Sequence, residues 1–416
     1  MAEDYLVQQL VLPDSSNDVK AQVALLLAKR AQKDADNRAA IVAAGGIGAL
    51  VELAKDGTTE AKLNATALLI TLGQNNNDNK EAIGAAGGIA PLVRLLTDGT
   101  REEKENAVVA LYVLAENNIN NKVLIVKDGG VQALVDLAAQ GTAMATEYAV
   151  LVLWDLANVP EYNTYNKVLI SAARGIPSLV KVADFGTPNA KQNAAAVLLV
   201  LGHNNPDRKA AIAATGGIEA LVKLLTEGTP RAKQNAAGAL FCLAENTPQN
   251  QNAIVEAGGI GPLVELAKDG TTEAKQSAAG ALSALAGYNP HNQLAIAETQ
   301  GVVQALYQLE QEGTAKAKQY ARLVLAKCFD CELDSEEEET EEVRPAKRQR
   351  VTEQSKGECC VCYVKHGDKL KILVPCGHKC ICQGCMDKMI AKAAPDPMKC
   401  PLCMARVTCH LNKVYV

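Results

Sequence analysis

Residues 46–73 read GIGALVELAKDG (46–57) followed by TTEAKLNATALLITLG (58–73). Both segments carry apolar residues at helical spacing. Ile47, Leu50, Val51 and Leu53 fall on one face of the first, and Ala65, Ala67, Leu68, Leu69 and Leu72 form the stripe of the second. Gly57 ends the first helix as a C-terminal cap, and Thr58 or Thr59 caps the second. A short third helix, near Asp78 to Ala85, leads back to the next Gly-Gly.

This unit recurs. A Gly followed by Ile or Val stands at 46, 88, 130, 175, 217, 259 and 301, with spacings of 42, 42, 45, 42, 42 and 42. Gly-Thr recurs in the same phase at Gly57, Gly99, Gly141, Gly186, Gly228, Gly270 and Gly313. Two markers in one phase define about seven units of 42 residues, with residues 1–44 as a partial capping unit. One unit has too little core to stand alone, so stacked neighbours must bury its faces.

Composition agrees. The chain of 416 residues is 48% hydrophobic but only 3% aromatic, the profile of many small helical layers rather than one large core. A net charge of −5 excludes bulk attraction to polyanions, so no nucleic-acid partner is expected. No apolar stretch reaches the ~18 residues of a membrane span, and the opening MAEDYLVQQL has acids where a signal peptide carries bases. The expected location is cytoplasmic, nuclear or both, with no membrane partner.

The array resembles armadillo repeats, specifically those of plant-type ubiquitin ligases, over roughly residues 10–330. That resemblance implies an all-α armadillo-repeat solenoid for residues 1–330, whose long helices line a groove for a protein substrate. Counted from each Gly-Thr glycine, position +5 reads Lys62, Lys104, Thr146, Lys191, Lys233, Lys275 and Lys318. Position +7 reads Asn64, Asn106, Tyr148, Asn193, Asn235, Ser277 and Tyr320. The Asn column has two readings: Asn64, Asn106, Asn193 and Asn235 bind the backbone of an extended peptide, or they brace neighbouring repeats. For the Lys column, bracing or solvent exposure is the preferred reading. Nuclear-import receptors of this fold carry a Trp ladder with an Asn four residues later. Here positions +10 read Ala67, Val109, Leu151, Ala196, Gly238, Gly280 and Leu323, so that ladder is missing. The third unit holds the only Trp, Trp154, and three extra residues in NVPEYNTYN, read as a surface insertion.

Residues 331–356 change character. ELDSEEEETEE has eight acids in eleven residues and RPAKRQR four bases in seven, so a disordered charged linker is expected. Within it Lys347, Arg348 and Arg350 resemble a short nuclear signal, and Ser335 precedes acids as an acidophilic kinase site does.

Ten of the thirteen cysteines crowd into 359–409. One cluster in a reducing compartment is read as metal binding rather than as a disulfide scaffold. Cys359, Cys362, Cys376, His378, Cys382, Cys385, Cys400 and Cys403 stand in four pairs, which suits two closed tetrahedral Zn²⁺ sites per chain. Cys360, Cys380 and Cys409 are left over. Residues 357–416 carry nine Lys+Arg against four Asp+Glu, which helps to offset seven thiolates.

The pattern resembles a C3HC4 RING finger, a small α+β zinc domain over 357–416. By that resemblance the zinc pairs interleave: Cys359 and Cys362 join Cys382 and Cys385, while Cys376 and His378 join Cys400 and Cys403. The resemblance also implies an E3 ubiquitin ligase without a covalent nucleophile, whose partners are an E2 enzyme and ubiquitin. Val361, Pro401 and Leu402 would seat the E2, with Met386, Met389 or Ile390 completing the surface. The His-x3-Cys gap and the thirteen residues after the last ligand, MARVTCHLNKVYV, are similar to Neuralized-type and inhibitor-of-apoptosis RINGs. In those families the tail forms a strand in a RING homodimer, with Val407, Leu411 and Val414 on its buried side and Tyr415 against ubiquitin. Many active RINGs carry a basic residue directly after the last Cys; here Met404 stands there and Arg406 follows. A ligase is the expectation, and a non-enzymatic armadillo adaptor whose RING serves assembly is the alternative. A metal-dependent hydrolase is disfavoured, because closed eight-ligand sites leave no open coordination position.

Overall fold

The computed structural model describes residues 2–12, 15–160, 163–287 and 289–329; the linker and the cysteine-rich region lie outside them. Among the described residues there are twenty-three helices and no strand. The chain divides into two compact units, one ending at Leu243 and the other starting at Ala244.

In the first unit the helices come in threes: medium, long and short. Layer 1 is Gly46–Asp56, Thr59–Gly73 and Asn77–Ala85, so the expected third helix is in place. Layer 2 is Ile89–Asp98, Arg101–Ala115 and Ile119–Lys127; layer 3 is Gly130–Gln140, Ala143–Ala157 and Asn163–Ala172; layer 4 is Gly175–Phe185, Pro188–Gly202 and Pro206–Ala214. Gly217–Glu227 and Pro230–Ala244 close the unit as layer 5. The second unit holds Pro248–Glu256, then Ile260–Asp269, Thr272–Leu285 and Pro290–Glu298, then Val302–Glu312 and Ala315–Phe329.

The leading residues differ from the expected partial cap. They form a complete layer of Ala2–Val11, Asn17–Ala31 and Ala35–Ala43, and the long helix Asn17–Ala31 packs on Thr59–Gly73 as later long helices pack on one another. The repeat markers are missing there because other residues end the helices: Ser16 caps the long helix and Asp34 the short one.

The markers have definite jobs. Thr58 accepts the Ala61 amide, and Thr100, Thr142, Thr187 and Thr271 repeat that cap. Gly57 is the C-cap as expected, but for a different reason: its φ is −72°, an ordinary value. A Cβ there would lie 2.5 Å from the Leu53 carbonyl oxygen and 2.9 Å from the Ala61 methyl, so close approach, not a left-handed turn, requires glycine. Left-handed geometry is used one step earlier in the cycle, at Gly45 with φ 81°.

Long helices supply the core. Ala65, Leu68, Leu69 and Leu72 are fully buried, each leucine contributing about 2 kcal/mol. Alanines at the contact let successive long helices approach closely. Hydroxyl bridges also tie successive long helices. The cap Thr142 donates to Glu105 at 2.6 Å, Thr187 to Glu147 at 3.0 Å and Thr229 to Gln192 at 3.1 Å. Layer 1 has Leu63 at that position, and Thr100 instead forms a reciprocal box with the buried Glu103.

Candidate functional site

The open face of the first unit is built by its long helices. At position +10, Ala67, Val109, Leu151 and Ala196 are half-buried, so this column is partly exposed. Ala67 therefore does not belong to the buried stripe in which the sequence pattern places it. Three residues further along the same helix face, at +13, stand Ile70, Tyr112, Trp154, Leu199 and Phe241. All are half-buried except Trp154, which is 37% exposed. A row of large apolar side chains is thus present, one residue before the +14 phase in which import receptors carry their Asn. Tyr148, from the +7 column, sets its ring 5.5 Å from that of Tyr112.

The expected Asn column is partly engaged within the protein. Asn64 donates its amide to the Ala21 carbonyl at 3.0 Å, and Asn235 donates to the Gln192 carbonyl at 2.9 Å. Each bond ties a long helix to the one before it. Asn106 and Asn193 are half-buried at the same positions. In the Lys column, Lys104 lines a groove of about 500 Å³ with Arg101, Glu105 and Asp136, and Lys318 in the second unit donates to the Gln311 carbonyl.

A second set of polar residues, on the short helices, escaped the sequence analysis. Asn37, Asn79 and Asn121 each donate an amide to the last turn of the preceding long helix, at Arg30, Leu72 and Leu114. Asn166 does so to Leu156, and Arg208 to Leu201 through its Nε. Asn121 adds a bond to the Lys80 carbonyl one layer back. In the second unit the next residue along also reaches back: Gln251 donates to the Ala244 carbonyl, and Gln293 to those of Ala286 and Gly287. The signal was available as recurring Asn-Asn pairs. The first Asn is left-handed at Asn75, Asn117 and Asn204, and the second caps the short helix at Asn76, Asn118 and Asn205.

Lysines follow these amides along the short helices, at Lys80, Lys122 and Lys167. Lys80, almost wholly buried, meets both the carbonyl and the carboxylate of Glu116, at 2.9 and 3.0 Å. Lys122 pairs with Asp155 at 3.2 Å, next to Trp154. Burial pushes the Asp155 carboxyl above its usual range, a rise that Lys122 opposes. Tyr112 is likewise raised, first by burial and then by the nearby carboxylates of Glu116 and Asp155. Aromatic rings and paired charges therefore share one partly desolvated strip, the surface chemistry of a protein-binding face.

Of the other sequence-derived residues, Val361, Pro401, Leu402, Arg406, Tyr415, the eight zinc donors and the basic run at Lys347, Arg348 and Arg350 lie outside the described residues. Among the described residues no group of three or more His, Cys, Asp or Glu could hold a metal, and no helix is long and apolar enough to cross a membrane.

Comparison with known proteins agrees with the fold. The Armadillo/beta-catenin-like repeat family matches residues 76–116, 205–243 and 247–287. The crystal structure of an engineered protein is 30% identical with a TM-score of 0.68, over 79% of this chain and 78% of that one. Computationally designed armadillo repeat proteins for modular peptide recognition are 26% identical with a TM-score of 0.52, over 57% of this chain and 98% of theirs. The RING-H2 finger protein ATL66 of Arabidopsis thaliana is 32% identical over 85 residues, 20% of this chain and 51% of that protein. The chain thus spans about half the length of this curated relative.

Proposed function

We propose that this armadillo-repeat protein is a RING-type E3 ubiquitin ligase whose repeats hold a protein substrate while residues 357–416 hold a ubiquitin-charged E2. The observation that carries the reading is the set of eight donors from Cys359 to Cys403, in four pairs. The partial likeness to a RING-H2 finger protein supports it. Likeness to designed armadillo proteins for peptide recognition supports a substrate-holding role for the long-helix face.

Seven thiolates and one imidazole fit two zinc ions by number and by donor type. When bound, the zinc supplies the stability that a stretch of this length cannot build from its own core. The chain's residues then act by position. Val361, Pro401 and Leu402 form an apolar seat for the E2, while Arg406 and Tyr415 hold ubiquitin, Tyr415 across a homodimer made by the C-terminal strands. No side chain of this protein bonds covalently to ubiquitin; the gain comes from holding the E2 thioester and a substrate lysine in reach. Lys347, Arg348 and Arg350 serve nuclear entry, which gives the protein cytoplasmic and nuclear pools.

Met404, where many active RINGs carry a base, favours a second reading, an adaptor that assembles partners without activating an E2. Full-length protein assayed with E1, ubiquitin and a panel of E2 enzymes separates the two. Ubiquitin chains that disappear with Val361→Arg and on zinc chelation support the ligase. A zinc-loaded protein inactive with every E2 supports the adaptor, and a protein without zinc refutes both.

A further inference from the structure

Among the described residues Lys167 lacks the ion pair that Lys80 and Lys122, at the same place on earlier short helices, each make. Lys80 has Glu116 and Lys122 has Asp155. Lys167 holds the corresponding place in layer 3. On the next long helix Val200 occupies the position of Asp155, and His203 the C-cap position of Glu116. Arg208, from the following short helix, stands close enough to Lys167 to disfavour its charge, and neither cation forms an ion pair among the described residues. Burial is the larger cause of the Lys167 shift, with only Cys242 acting the other way, so its ammonium is partly withdrawn from water with no carboxylate paired to it among the described residues.

The surroundings suit a polypeptide better than a small anion. Leu199 precedes Val200 in the apolar row, and Trp154 lies one layer away with 37% of its surface open. Layers of packed helices repeat at roughly 9–10 Å, a distance that an extended chain covers in about three residues.

We propose that Lys167 and Arg208 accept an aspartate or glutamate side chain from an extended segment of the substrate, whose apolar residues pack on Leu199 and Trp154. The substrate carboxylate takes the place that Asp155 and Glu116 fill in the earlier layers. This rests on the reading that the repeats recruit the substrate, and it specifies what they recruit: an acidic–apolar segment, not a basic one. The internal acids of layers 2 and 3 are already paired with Lys80 and Lys122, so they offer little to a basic ligand.

A displayed library of random short peptides, selected against the full-length protein, is the probe. We expect enrichment of Asp or Glu about three positions from a large apolar residue, with binding read as a change in fluorescence of Trp154, the only tryptophan. Lys167→Glu with Arg208→Glu should weaken the enriched peptide about tenfold or more, and reselection on that variant should favour Lys and Arg. If the double reversal fails to fold, Lys167→Gln and a salt titration of the wild-type complex decide, each expected to lower affinity. No acid enrichment, or the same peptides on wild type and variant, overturns the proposal. Ubiquitin-chain assays on the same preparations keep the two readings apart: active chains without acid selectivity sink this inference alone, and acid selectivity without chains sinks only the ligase.

Discussion

Replacing Gly84 by alanine should change sign with its neighbour. Gly84 lies inside the helix Asn77–Ala85, where glycine-to-alanine ordinarily gains about 1 kcal/mol. Here an added Cβ would collide with Asn121 Oδ1. Asn121 cannot retreat, because its amide donates to both Lys80 and Leu114 carbonyls at 2.9 Å while its side chain is almost fully buried. Overpacking costs about 1–3 kcal/mol, and each buried carbonyl left without its donor costs a similar amount. Gly84→Ala should therefore destabilise by about 2–4 kcal/mol net. In an Asn121→Ala background the next side-chain atom, Leu124 Cδ1, is 3.5 Å away, an ordinary contact. There the helix propensity is unopposed, and Gly84→Ala should stabilise by up to about 1 kcal/mol. Urea unfolding of the four full-length proteins, followed by far-UV circular dichroism, measures the cycle. Hydrogen exchange in Asn77–Ala85 localises it, which matters because repeat arrays depart from two-state behaviour. A raised midpoint for Gly84→Ala in the wild-type background, or the same sign in both, would refute the reasoning.

Two further outcomes follow from the charges and the core. Asp155 is raised by burial, so its contribution to stability is full below the ordinary carboxylate range and lost as pH rises through its folded value; Lys122→Met should widen that loss, giving a variant that is closest to wild type in acid and weakest near neutrality, as thermal melts across pH would show. Cys328, pushed up to about 12 by burial, should resist alkylation at mildly alkaline pH in the folded protein and react once urea unfolds it, as peptide mass mapping would record.

Much of the fold was legible because a repeat multiplies weak signals. The medium helix, the threonine cap and the short helix near Asp78 to Ala85 each follow from local chemistry that recurs at a fixed period. The leading layer was not recognised as a full unit, since its caps are Ser16 and Asp34 rather than the Gly-Thr marker. The binding face was only half legible. The sequence pattern assigns Ala67 to the core, where it is only half-buried, because helical periodicity alone cannot tell a flank of the buried stripe from the edge of a groove. The row from Ile70 to Phe241 went unseen for the same reason: exposure at +13 depends on how far the neighbouring layer covers each helix.

Sequence by itself determined the period, the helix order and the spacing of the seven cysteines and one histidine from Cys359 to Cys403, since these rest on covalent spacing and on residue chemistry that needs no neighbour. Tertiary structure decided which polar groups remain for a partner. Asn64 and Asn235 are bonded within the stack, Lys80 and Lys122 find acids one layer on, and Lys167 finds none among the described residues. That division is set across layers some forty residues apart, by distances that no local pattern encodes.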